Sequence, residues 1–572
     1  MPVKHSMRAI IFYSLLLIYV LTSFAASSQS LPVGTISLED YFRRRQLEGR
    51  GDSSVSFTIR PFHSSSPILK SDGSDSLLVK RSARSSEVLS NWQPRDPAMK
   101  LFVLPADLQV RLNSHHPYGW NDGPMIPARG LQTVLSAGIY AEYGHLSLQL
   151  KPEFVIAENQ SFRGFPQDYG EILWYTLYYD YYNNTDLPER FGKDSYSKLF
   201  WGQSSVRLNF DPVSFGLSSE NLWWGPGFRS SLLMSNTAPG FKHLSLNTSR
   251  PVKTAIGSFE AQLIAGRLEG SGFSPMEPNP DYFGEALYLP KSDDWRFLSG
   301  LTLTWHPKWV PGLFLGLSST SQLYSKDLEP RDYFPGVIAF RRTTADDPIN
   351  VPDTRSSVFF RWIWPEEKAE IYFEYGLEDP VFNLRNIARA SDNSRAFIFG
   401  LRKLIPFGTR ADENLQISLE ATQLQQNSAN AIRAGKSWYV DQFIRHGYTN
   451  RGESLGAGIG PGANLQTLDL SWVKGLKRLG IQLERYVHNN DYYYYAFESK
   501  QDWRRHWTDL GIAAAGEWDY KKFLFNARIQ AIQSYNYKWY LKEDGKGTVP
   551  YPEVNGIDAF NLHLQLGTTY RF

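Results

Sequence analysis

The C-terminal stretch "FNLHLQLGTTYRF" runs from Phe560 to Phe572. Phe560, Leu562, Leu564, Leu566, Thr568, Tyr570 and Phe572 fall on one side of an extended chain, and Asn561, His563, Gln565, Gly567, Thr569 and Arg571 fall on the other. Successive side chains of a strand point to opposite faces. Unbroken period-two alternation of this length predicts a strand with one apolar and one polar face, long enough to cross a bilayer at a tilt. The pattern recurs. Leu415, Ile417, Leu419 and Ala421 alternate with Gln416, Ser418, Glu420 and Thr422. Leu301, Leu303 and Trp305 alternate with Thr302, Thr304 and His306. Leu468, Leu470 and Trp472, and Phe523 to Ala531, repeat it.

About eighteen such segments follow residue 105, the number of a porin-sized closed barrel. Short turns join some of them: His306–Gly312, Trp364–Glu370 and Val473–Arg478. Long aromatic and polar loops join others: Glu158–Leu199, Gly270–Phe297, Lys326–Thr354 and Gln425–Arg451. Short turns at one end and long loops at the other characterise outer-membrane barrels. Trp305, Trp309, Trp362, Trp364, Tyr570 and Phe572 sit at strand ends, where interfacial aromatics belong. A soluble β-sandwich or propeller also alternates. Strand number, loop asymmetry and the terminal Phe572 favour the membrane. The expected fold is all-β, a transmembrane antiparallel barrel of about 18 strands.

The N-terminus reads as an export signal: Lys4 and Arg8, an apolar run from Ala9 to Leu21, then small residues at Ala26–Ser28. The expected organisation is a signal peptide at 1–28, a periplasmic helical or linker segment at 29–104 that is a possible plug, and a barrel over 105–572. Within the middle segment Ser37 reads as a helix N-cap, Leu38, Tyr41 and Phe42 share a face, and Gly49 ends the helix. Residues 52–90 are Ser-rich and read as linker. Net charge is +2, which offers no basic field for nucleic acid. Cysteine is absent, which excludes disulfides, thiolate metal sites and lipid attachment at a cysteine.

"SSENLWWGPGFRSSLLMSN" (Ser218–Asn236) raises the question of what faces two adjacent tryptophans. Gly-Pro-Gly cannot continue a strand, so the strand is expected to end near Asn221, with Trp223 and Trp224 at the barrel rim. There they serve either as girdle and loop packing or as a sugar platform. An indole stacks on the apolar face of a pyranose. Glu220, Asn221, Arg229 and Asn236 then supply donors and acceptors for hydroxyls. These six residues are the candidate polysaccharide site. Lys242, His243, Arg250 and Lys253 continue a basic series suited either to an acidic polymer or to a charged lumen or rim. "ILWYTLYYDYYNNTD" (Ile172–Asp186) is either a recognition surface or a strand pair closing the mouth, and Tyr492–Tyr495 with Phe497 form a second aromatic run.

Several motifs resemble one family. They are "DLPERFG" (Asp186–Gly192), "LSSENLWWGPG" (Leu217–Gly227), "LLMSNTAPGF" (Leu232–Phe241), "HPKWVPGLFLG" (His306–Gly316) and "HGYTNRGESLGAGIGPG" (His446–Gly462). Together the chain resembles the capsule assembly protein Wzi family of Gram-negative outer membranes. The resemblance implies an eighteen-stranded barrel closed on its periplasmic side by a small helical element. It also implies lectin-like, non-catalytic binding of capsular or other surface polysaccharide, with outer-membrane lipid and the barrel-assembly machinery as further partners. A transport channel is the alternative. No HExxH, P-loop or GxSxG occurs, so no catalytic residue, metal or cofactor is expected. "GAGIGPG" (Gly456–Gly462) reads as a tight turn or a close approach to another strand rather than a phosphate cradle, and the His115-His116 pair as solvated. Lumen acids such as Glu220, Glu260, Glu370, Glu374 and Glu420 fit any wet barrel interior.

Overall fold

The computed structural model describes residues 30–63, 66–70, 99–167, 169–276, 281–282, 284–333, 352–378, 394–407, 412–426, 437–497, 505–540 and 557–571. Residues 1–28, read above as an export signal, Phe572 and residues 71–98, which include the end of the Ser-rich segment, lie outside these.

Eighteen antiparallel strands close into one transmembrane barrel. In chain order they are β1 Met99–Asn113, β2 Gly130–Tyr143, β3 Leu146–Leu150 continued by Glu153–Ala157, and β4 Tyr196–Phe200 continued by Ser205–Phe210. Next come β5 Val213–Ser218, β6 His243–Thr248 continued by Val252–Thr254, β7 Gly257–Leu268, β8 Arg296–Pro307 and β9 Leu313–Tyr324. Then follow β10 Asp353–Trp364, β11 Ala369–Glu378, β12 Arg395–Pro406, β13 Glu413–Gln423 and β14 Asn464–Lys474. The last are β15 Lys477–Val487, β16 Thr508–Tyr520, β17 Phe523–Tyr535 and β18 Ala559–Tyr570. The seam pairs Ala106–Asn113 of β1 with His563–Tyr570 of β18. The first strand thus starts at Met99, ahead of the boundary at 105.

The alternation read from the sequence is the in/out alternation of the wall. Leu301, Leu419, Leu470, Ile529 and Leu566 are exposed on the outside, whereas Thr302, Glu420, Asp469, Gln530 and His563 are buried in the lumen. Every short turn lies at one end, the periplasmic end by this asymmetry. Trp305, Trp309, Trp362 and Trp364 gather there, with Trp362 and Trp364 rings 4.8 Å apart. Leu564 sits midway along β18, facing outward. Leu564→Arg is therefore expected to cost about 2–4 kcal/mol, the penalty for a cation at the bilayer midplane. Gln565→Arg, on the lumen side, is the control. Urea titration of refolded protein in lipid vesicles checks the pair, and equal stability of the two variants would overturn the lipid-facing assignment.

The described residues ahead of the barrel, 30–63 and 66–70, pack against its inner wall and lower rim and are called the plug below. Helix α1 (Ile36–Leu47) lies across the periplasmic end. Thr35 rather than Ser37 precedes it, and no side chain caps it. Its Leu38 and Phe42 pack with Val103, Leu476 and Leu524 at the lower rim. Leu47 packs with Phe314, Ile363, Leu404 and Val473 of the inner wall. Buried ion pairs fix its polar face. Arg43 Nε and Arg361 Nε each donate to Glu370, both at 2.7 Å. Arg402 donates to Asp40 at 2.9 Å, and Arg44 also pairs with Asp40. Burial favours the neutral acid, yet Arg44 and Arg402 hold the Asp40 carboxyl below the usual carboxylate range. Residues 52–63, read as linker, are packed inside the barrel against its wall: Ser56 N donates to Glu260 at 2.8 Å, and Arg361 donates to Ser56 O at 2.9 Å.

Candidate functional site: lumen core and aromatic cap

After Ser218 the chain does not stay at the rim. It turns down into the lumen, where Trp223–Trp224 pair antiparallel with Ile59–Arg60 of the plug. This corrects the expected rim position. The segment holds "SSLLMSN", whose Leu232, Leu233 and Met234 are almost fully buried. They pack with Trp224, Ile264, Leu298 and Ile398, and with Trp438, Tyr439 and Tyr448 from a second infolded loop. Apolar residues exclude water from this side of the barrel, so the lumen has a dry core.

The two infolded loops carry two of the quoted motifs, Leu217–Gly227 and His446–Gly462, and they hold each other. Tyr439 OH donates to Leu232 O at 2.6 Å, and Ala457 N donates to Tyr439 OH at 2.8 Å. Ser235 Oγ donates to Gly456 O at 2.5 Å, and Asn450 Nδ2 to Pro239 O at 2.9 Å. Gly456 approaches so closely that a Cβ there would lie 2.3 Å from Leu232 O. The glycine run is thus a packing device, and strand β14 follows it.

The structure divides the six candidate residues. Glu220, Asn221 and Trp224 are spent on the protein itself. Glu220 accepts from Gln149 Nε2 at 3.2 Å and from Ser218 Oγ at 2.9 Å. Asn221 accepts from Gln203 Nε2 at 2.9 Å and donates to Ala238 O at 2.8 Å. Trp224 is 0% exposed, and its Nε1 donates to Gln262 Oε1 at 2.7 Å. Trp223, Arg229 and Asn236 instead line a lumen cavity of about 300 Å³. One face of Trp223 is covered by the Arg60 guanidinium, 4.3 Å from the ring centre. Arg229 donates to Gln482 and to Glu484, each at 3.1 Å. Asn236 Nδ2 donates to Asn121 O at 3.0 Å. The other basic residues do not join Arg229. His243 is buried in the wall of β6, and Arg250 pairs at 2.8 Å with Asp211 at a periplasmic turn.

The lumen acids also serve structure. Glu420 accepts from the backbone N–H groups of Phe228 and Ser230, both at 2.8 Å, and from Tyr372 OH at 2.7 Å. Glu260 and Glu370 anchor the plug as described. Among the described residues no cluster of His, Asp and Glu has metal-site geometry.

At the loop end, the Ile172–Asp186 run is helical rather than a strand pair. Helix α2 (Glu171–Leu177) continues as a wider turn over Tyr178–Tyr182, and α3 (Asn490–Phe497) packs beside it. Trp174, Tyr178, Tyr492, Tyr493, Trp507, Tyr537 and Trp539 form one aromatic cluster over the mouth. Tyr492 and Trp539 meet edge to face, with centroids 4.7 Å apart. His116 is buried against Tyr537 rather than solvated, and burial pushes its pKa down to about 3. The outer side of α2 keeps Ile172, Tyr175 and Tyr179 exposed at 55%, 38% and 55%. The Tyr175 and Tyr179 rings stack at 5.6 Å and 12°. Beside them, burial pushes Asp180 up to about 6.

The profile of the family described as "Capsule assembly protein Wzi" matches residues 126–533. The chain belongs to the capsule assembly protein Wzi family. This Wzi-family barrel is similar in fold to the Escherichia coli structure described as Wzi, an outer membrane protein involved in group 1 capsule assembly and a carbohydrate-binding β-barrel. Identity is 13% and the TM-score 0.57, over 95% of this chain and 100% of that one. OccAB2 of Acinetobacter baumannii aligns at 10% identity and TM-score 0.38, over 82% of this chain and 98% of that one. Comparison with curated proteins finds no match.

Proposed function

We propose that this protein holds capsular or other surface polysaccharide at the outer face of the Gram-negative outer membrane, binding it as a lectin does and transforming nothing. The exposed Tyr175–Tyr179 stack on the aromatic cap carries the reading. Tyrosines one helical turn apart form a continuous aromatic strip. Both rings are partly exposed at the loop end of the barrel. A pyranose presents C–H bonds to such a face, and phenol hydroxyls meet its rim. The Escherichia coli relative's description as a carbohydrate-binding barrel supports the same reading. The engagement of Glu260, Glu370 and Glu420 in anchoring supports a non-catalytic role, because a glycosidase needs two free carboxylates across a cleft. The infolded plug and loops support binding over conduction. Outer-membrane lipid contacts the apolar belt, and the barrel-assembly machinery reads the C-terminal strand.

Removing one stacked ring should cost about 0.5–1.5 kcal/mol per sugar contact. Tyr175→Ala and Tyr179→Ala are thus each expected to lower polysaccharide retention several-fold at unchanged barrel levels. Retention by cells carrying each variant, normalised to heat-modifiable protein on gels, tests this. Unchanged retention by well-folded variants removes the cap assignment. Steady conductance of the wild type in planar bilayers would favour a channel instead.

A further inference from the structure

The barrel wall is not equally tall all the way round. β5 has 6 residues between its periplasmic turn and Ser218, where the chain dives into the lumen, whereas β7 has 12. β4 pairs with β5 only over Ser205–Phe210. Its upper half, Tyr196–Phe200, pairs with β3 along one edge and with no strand along the other among the described residues. A tilted barrel strand climbs about 2.5 Å per residue, so β5 reaches roughly 15 Å above its turn, while the apolar band of such barrels is about 25 Å tall. Phe210, at the foot of this strand pair, is exposed where an interfacial aromatic belongs. The gap above β5, between β4 and β6, thus opens sideways at the height of the outer leaflet.

Two cations stand in that gap with no acid between them. Lys198 lies on the edge half of β4. Arg451 lies at the turn of a small hairpin, Thr449–Asn450 paired with Glu453–Ser454, in the second infolded loop. Lys198 Nζ is 5.4 Å and Arg451 Cζ 6.0 Å from the centre of the same Phe200 ring. Both residues are half-buried, and neither side chain makes an ion pair or a hydrogen bond among the described residues. Glu269, on a neighbouring loop, is taken by Arg267 at 2.6 Å. Lys242 stands exposed just above β6, on the other side of the gap, where its carbonyl accepts from Arg267 N at 2.9 Å. Like charges held beside one ring repel, and a bound anion turns that cost into a gain. On the lipid side the border is apolar: Leu199 and Trp201 are exposed at 68% and 62%, and Leu217 near the top of β5 is exposed as well. Strand edges are normally paired or covered, and bare backbone groups are costly at membrane depth. A phosphate brings acceptor oxygens for the cations and for edge amides. A soluble anion would leave the apolar border uncovered, and a neutral lipid would leave the cations unpaired.

We infer that the gap above β5 is a lateral docking site for a phosphate-bearing lipid of the outer leaflet, the lipid A part of lipopolysaccharide. Its phosphate sits among Lys198, Arg451 and Lys242, and its acyl chains run along Leu199, Trp201 and Leu217. The site faces the membrane and is separate from the cap. The test is native mass spectrometry of the full-length, detergent-purified protein titrated with bisphosphorylated lipid A, with lipid A stripped of both phosphates, and with phosphatidylglycerol. Saturable binding of one bisphosphorylated lipid A is expected, at least tenfold tighter than either comparison lipid. Lys198→Gln with Arg451→Gln should weaken it at least tenfold, while Lys521→Gln at a periplasmic turn and Tyr175→Ala on the cap leave it unchanged. If the double variant does not reach a heat-modifiable fold, Lys198→Gln alone is expected to weaken binding several-fold. No saturable binding, or equal binding of dephosphorylated lipid A, overturns the inference. Equal binding of phosphatidylglycerol overturns the assignment to the outer-leaflet lipid. Affinity unmoved in a folded gap variant, or lowered as much by Lys521→Gln, reduces the effect to general basic charge and also overturns it.

Discussion

Glu370→Ala is expected to destabilise the protein by about 3–5 kcal/mol, the range for removing one partner of a buried ion pair. Glu370 is fully buried and is shared by Arg43 of the plug and Arg361 of the wall. Without it two guanidiniums face each other with no anion between them. Arg361 keeps Gln46 and Ser56 O, but Arg43 loses its ion pair with the wall. The plug is the part that can leave, so its seat weakens before the wall does. Two readouts follow: a lower temperature for heat modification on gels, and the appearance of conductance in planar bilayers. Glu370→Gln keeps one acceptor oxygen, replaces the other by an NH2 donor, carries no charge, and should fall between. A variant with wild-type melting and a silent bilayer would show that the apolar contacts of Leu38, Phe42 and Leu47 suffice to seat the helix.

Trp224→Ala should cost a similar amount, about 3–5 kcal/mol, as for large aromatics truncated in a core. The ring is sealed within the lumen core, and it lies against Gly300 of β8. A Cβ on that glycine would sit 2.7 Å from Trp224 Cη2. Gly300→Ala alone should therefore cost about 1–3 kcal/mol through overpacking. Combined with Trp224→Ala it should cost almost nothing further, because the clash is gone. Contacting residues are where such non-additivity is expected. Denaturant titration of the four proteins in lipid vesicles measures the cycle. Strict additivity would mean that the indole does not occupy this position. Trp223→Ala, at the cavity edge, should be milder than Trp224→Ala.

The wall was legible in the sequence because a barrel strand reports its own surroundings. Leu419 and Glu420 differ in environment simply by being neighbours, and the lipid enforces that difference at every step. The lumen was not legible in the same way. Trp223 and Trp224 sit in a stretch with turn residues and polar flanks, which reads as rim. What places them inside is pairing with Ile59–Arg60, far away in the chain, and no local pattern encodes that. One signal was present. Leu232-Leu233-Met234 is an apolar run in a supposed outer loop, and such a run has to be covered by something. The helical turn at Ile172–Asp186 was hidden because Tyr and Trp favour strands as readily as helix faces. The cap forms there through tertiary aromatic packing, not propensity.

The seam between β1 and β18 joins the two ends of the barrel-forming chain, and contacts of such sequence separation are the slowest to form. Until it forms, the nascent wall is an open trough rather than a tube. The charged N-terminal segment and the two infolded loops together occupy the lumen, where their apolar residues form a buried core. They are expected to settle sideways into that trough while it is still open. On this view the interior serves as a mandrel: the wall is wrapped around its contents, and the last two strands meet only once those contents are in place.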